Sequence, residues 1–70
     1  MTYEKLGAWF TVARELADYL DMQMTELRVL DFWATANGLR VAYGFQRAGG
    51  EHQVTIPMSR DAAALLVELA

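Results

Sequence analysis

Tryptophan and arginine carry much of the binding energy at protein contact surfaces, since the one is a large rigid apolar body and the other a planar, fixed fork of donors. Trp33 and Arg40 are placed to act in this way, with Asp31 and Gln46 as polar neighbours on the same expected surface. A protein partner is the occupant such a flat, amphipathic set suits, because small molecules favour concave sites. A second group, Arg28, Arg47 and His52, is expected in one row across three strands, where three potential cations would receive a phosphate or a carboxylate. The competing account has these arginines lying over the core rim and pairing with Asp18, Asp21 or Glu51.

Catalytic chemistry finds little support. Ser59 reads as a helix cap and His52 as a turn-flanking residue, so no nucleophile stands beside a base. Asp18 and Asp21 are neighbours on one helix face and suit water better than acid–base work. With no cysteine and one histidine, no structural zinc site is expected, and no cofactor is implied. The glycines at 38, 44, 49 and 50 match neither a phosphate-binding loop nor a dinucleotide fingerprint. The chain is expected not to be an enzyme.

The elements that position these residues follow from 70 residues, 54% of them hydrophobic and 21% charged. That length supports one domain, residues 1–70, and the apolar content demands a packed core. Net charge is −3, which disfavours binding to phosphate backbones by charge alone. No basic leader precedes an apolar run, and no stretch reaches the roughly 18 apolar residues of a spanning helix, so a cytoplasmic protein without a membrane role is expected.

From Tyr3 to about Leu20, Leu6, Trp9, Phe10, Ala13, Leu16, Ala17 and Leu20 recur at helical spacing, with Thr2 as cap. Asn37-Gly38 then signals a tight hairpin, which sets Ala36 opposite Leu39, Ala34 opposite Val41, Phe32 opposite Tyr43 and Leu30 opposite Phe45. Gly49-Gly50 signals a second, pairing Phe45 with Val54, Tyr43 with Ile56 and Val41 with Met58. Both turns build one apolar face across three strands. The other face would carry Asp31, Trp33, Arg40, Ala42, Gly44 and Gln46, with Trp33 opposite Ala42. Ser59 caps a final helix through Leu69. The expected fold is therefore α+β in the order α-β-β-β-α, a three-stranded antiparallel meander with both helices packed on one face.

This order resembles the topology of double-stranded RNA-binding domains over nearly the whole chain. That family's lysine-rich start to its last helix is replaced by Ser59-Arg60-Asp61-Ala62, and its polar first loop by Asn37-Gly38, so no RNA-contacting residue carries over.

Two helices side by side are wider than three strands, and both helices have broad apolar arcs. A homodimer is expected, formed either by first-strand edges or by helices. The functional expectation is a small protein-interaction or regulatory module acting through Trp33, Arg40, Asp31 and Gln46. Two alternatives stand beside it. One is a nucleic-acid-binding domain, with Arg28, Arg40 and Arg47 on phosphates and Trp33 or His52 stacked on bases, motivated by five arginines against one lysine. The other is an acidic mimic presenting Glu4, Glu15, Asp18 and Asp21 to a basic groove.

Overall fold

The computed structural model describes residues 2–70, arranged as α1 (Tyr3–Leu20), a 3-10 turn (Met24–Glu26), β1 (Leu27–Thr35), β2 (Gly38–Phe45), β3 (His52–Pro57) and α2 (Arg60–Leu69). The strands form one antiparallel sheet in the order β1-β2-β3, so the α-β-β-β-α meander stands.

Local chemistry sets the helix ends. The Thr2 hydroxyl accepts the Lys5 N–H at 3.2 Å, and the Ser59 hydroxyl accepts the Ala62 N–H at 3.1 Å, each satisfying a donor the helix leaves free. α1 stops at Asp21, which adopts a left-handed conformation (φ 55°) and donates to Asp18 while Met22 N–H reaches Ala17. That is a Schellman closure with an aspartate in the position glycine usually takes.

Val12 and Leu16 of α1 and Ala63 of α2 close over Phe32, Leu39, Val41, Tyr43 and Ile56 of the sheet, and Trp9 meets Phe32 edge-on at 4.8 Å between ring centres. Both helices thus cover the same sheet face. The inward stripe of α1 runs through Ala8, Val12, Leu16 and Ala17 and is rotated from the expected arc. As a result Leu6 and Phe10 remain 56% exposed.

The strand register departs from the expected one at three places. In the first hairpin Thr35 pairs with Gly38, Ala34 with Leu39 and Phe32 with Val41, so Ala36-Asn37 is the turn. Neither turn residue has a positive φ; the unusual conformation falls on Gly38, at φ 139°, as the first residue of β2. Thr35 fixes this arrangement, its hydroxyl accepting the Asn37 N–H and donating to the Gly38 carbonyl. In the second hairpin Leu39 pairs with Ile56, Val41 with Val54 and Tyr43 with His52. Gly49-Gly50 is not a two-residue turn, because Gln46 is drawn toward β1. Its N–H goes to the Glu26 carbonyl and its side-chain amide to Leu27, so residues 46–51 form the connection. Both shifts are even, which preserves the faces.

The third departure is a β-bulge at Leu30. Asp31 pairs with Ala42 and Val29 with Tyr43, which leaves Leu30 without a partner. An extra residue reverses the alternation below it. Leu27 is therefore buried and Val29 packs against the core, while Leu30, expected inside, is 42% exposed.

Candidate functional site on the outer sheet face

On the face away from the helices, Trp33 stands opposite Arg40 rather than Ala42, and Asp31 takes the place opposite Ala42. Arg40, on the central strand β2, is fixed from the β3 side. Its Nε donates to Gln53 Oε1 at 3.3 Å and its Nη1 to Thr55 Oγ1 at 2.9 Å, both from β3. Both acceptors are neutral, so the bonds that hold the guanidinium in place do not neutralise it. Ala42 is buried and forms the low floor beside Trp33, which is itself 38% exposed.

Asp31 has a different task from the one expected. Its Oδ1 accepts the N–H of Phe32 at 2.8 Å, a bond between adjacent residues that occupies a backbone donor of β1. Gln46, also expected in the contact set, lies at the end of the sheet with its amide committed to Leu27. Of the expected contact set, the outer face therefore retains Trp33 and Arg40, with Asp31 at its margin.

The row of Arg28, Arg47 and His52 does not form. The bulge turns Arg28 to the outer face opposite Gly44, where its Nη2 lies 3.2 Å from the point a Cβ on Gly44 would occupy. A side chain at 44 would lift the guanidinium off the sheet. Arg47 is exposed in the 46–51 connection, and His52 packs against the rings of Tyr43 and Phe45 at 5.6 and 5.0 Å. What sequence patterning missed is that Arg28 joins the face of Arg40. Gly44 and Arg40 are four residues apart on β2, so the two guanidinium groups are attached about 13 Å apart along the strands.

Of the acidic set, Glu4, Asp18 and Asp21 are exposed, Glu15 is half-buried, and Asp21 ends α1. Met22 and Met24 are half-buried against the core, filling the gap beside the 3-10 turn. Among the described residues no group of three or more His, Cys, Asp or Glu side chains is placed to hold a metal ion, and no helix is long and apolar enough to cross a membrane.

No family model, curated protein or solved structure matches the chain.

Proposed function

We propose that this chain is a small interaction module that engages a protein partner through the outer face of its sheet and self-associates through a different surface. One observation supports the first part most directly: an indole left 38% exposed stands opposite a guanidinium held only by neutral partners. Such a pair offers apolar area and an unneutralised charge together, and its rigid placement lowers the entropy lost on binding. Arg28 extends the positive character of a face on a chain whose net charge is −3, which favours an acidic partner segment.

The test is affinity capture from the source cells with wild-type, Trp33→Ala and Arg40→Ala chains, followed by a binding titration with whatever the wild type retains. Trp33→Ala should weaken that complex about thirtyfold, corresponding to about 2 kcal/mol, with the thermal midpoint nearly unchanged. A complex indifferent to both substitutions would reject this face.

The second reading, single-stranded nucleic acid, draws on the same three residues, with Arg28 and Arg40 on phosphates and Trp33 stacked on a base. Retention of an oligonucleotide that falls steeply with salt would favour it; no retention at low ionic strength would remove it.

A further inference from the structure

Gly7 lies in the interior of α1, where glycine weakens a helix relative to alanine, yet among the described residues nothing beyond its chain neighbours and the adjoining helix backbone comes within 4 Å of the place its Cβ would take. Intramolecular packing therefore gives no reason for a glycine here. At 100° per residue, Tyr3, Leu6, Gly7, Phe10 and Arg14 fall within an arc of about 100°. Tyr3 is 93% exposed, Leu6 and Phe10 are each 56% exposed, and the Arg14 guanidinium lies 6.0 Å from the centre of the Phe10 ring. The face thus holds a knob at Phe10 and a gap at Gly7, with Trp9, Ala13 and Val29 lining the groove alongside.

We propose that this face of α1 is the self-association surface, and that it pairs antiparallel with α1 of a second copy so that Phe10 of each seats over Gly7 of the other. This rests on the self-association reading above and assigns it a site. A knob and a gap on one stripe are self-complementary about a twofold axis, as an isologous contact requires. The axis that joins Gly7 to Phe10 also brings Arg14 of one copy to the Tyr3 ring of the other.

The exposed area suits a weak, reversible dimer. Tyr3, Leu6 and Phe10 leave roughly 400 Å² of side chain in water, about half of the ~800 Å² per partner that a stable dimer buries. The groove wall and the Arg14 stem extend that contact. The first-strand edge is a poorer candidate, because it is broken by the bulge at Leu30 and its Phe32 N–H is engaged by Asp31. Helix pairing also leaves both outer sheet faces open.

Light scattering over a dilution series tests the proposal, with a reversible monomer–dimer equilibrium expected. The mass should rise from 7.9 kDa toward twice that value. Gly7→Ala should raise the monomer's melting midpoint by about 4–8 °C while weakening the dimer at least tenfold, opposite signs that a purely structural glycine would not produce. Phe10→Ser should weaken the dimer similarly without loss of helical circular dichroism. A wild-type chain that stays monomeric at 1 mM overturns self-association itself. A dimer unaffected by either change, or lost instead on Leu65→Ser, overturns this surface and leaves self-association standing.

Discussion

A methyl group at position 38 would meet backbone atoms at the end of β3 and just beyond it, the Ile56 carbonyl oxygen and the Met58 nitrogen, which cannot move without disturbing the sheet. The φ of 139° adds strain for any residue with a Cβ. Gly38→Ala should therefore cost about 3 kcal/mol, combining backbone strain with overpacking. A chain of this size has only about 4–10 kcal/mol of stability in total. Urea unfolding followed by circular dichroism should show the midpoint fall sharply with the slope unchanged; an unchanged midpoint would mean the contact between Gly38 and β3 is misplaced. The Asn37-Gly38 pair was legible as a turn signal, but its special conformation serves close approach between strands β2 and β3.

At the scale of the elements, both helices, their caps and the sheet order were readable because Thr2, Ser59 and the recurring apolar residues act locally. The core residues Phe32, Leu39, Val41, Tyr43 and Ile56, with Val54 packed against them, were also identified, since each hairpin shift was even and kept their orientation. What could not be read was the register. That of the second hairpin depends on distant bonds, such as Gln46 to Glu26 and Leu27, and that of the first on the Thr35 hydroxyl, none of which the glycine-containing pairs encode. The bulge was invisible for the same reason, and with it the face of Arg28, while the shifted first hairpin hid the true neighbours of Trp33. Its geometry leads to an unusual expectation. Leu30 is the unpaired residue, so deleting it would join Val29 to Asp31 in a regular ladder with every pairing on either side retained. Deletion of Leu30 should cost no more than about 2 kcal/mol, from altered strand twist. A chain without Leu30 that fails to fold would show that the bulge is required for the helices to seat on the sheet.

For the molecule as a whole, the two layers divide the work. The helix layer buries one sheet face and leaves part of α1 uncovered, while the opposite sheet face stays open for Trp33 and Arg40. A pair of chains joined through α1 would therefore present two contact faces, and a partner with repeated sites would be held more tightly than one face allows. The Asp31 carboxylate has a further consequence, for behaviour at high concentration. By keeping the Phe32 amide occupied, it removes one donor from the outer edge of β1 and so weakens that edge as a template for added strands. Asp31→Ala should fold normally and yet, on prolonged agitated incubation, convert to thioflavin-positive fibrils several times sooner than the parent chain; equal lag times would assign that protection to the kinked backbone at Leu30 alone.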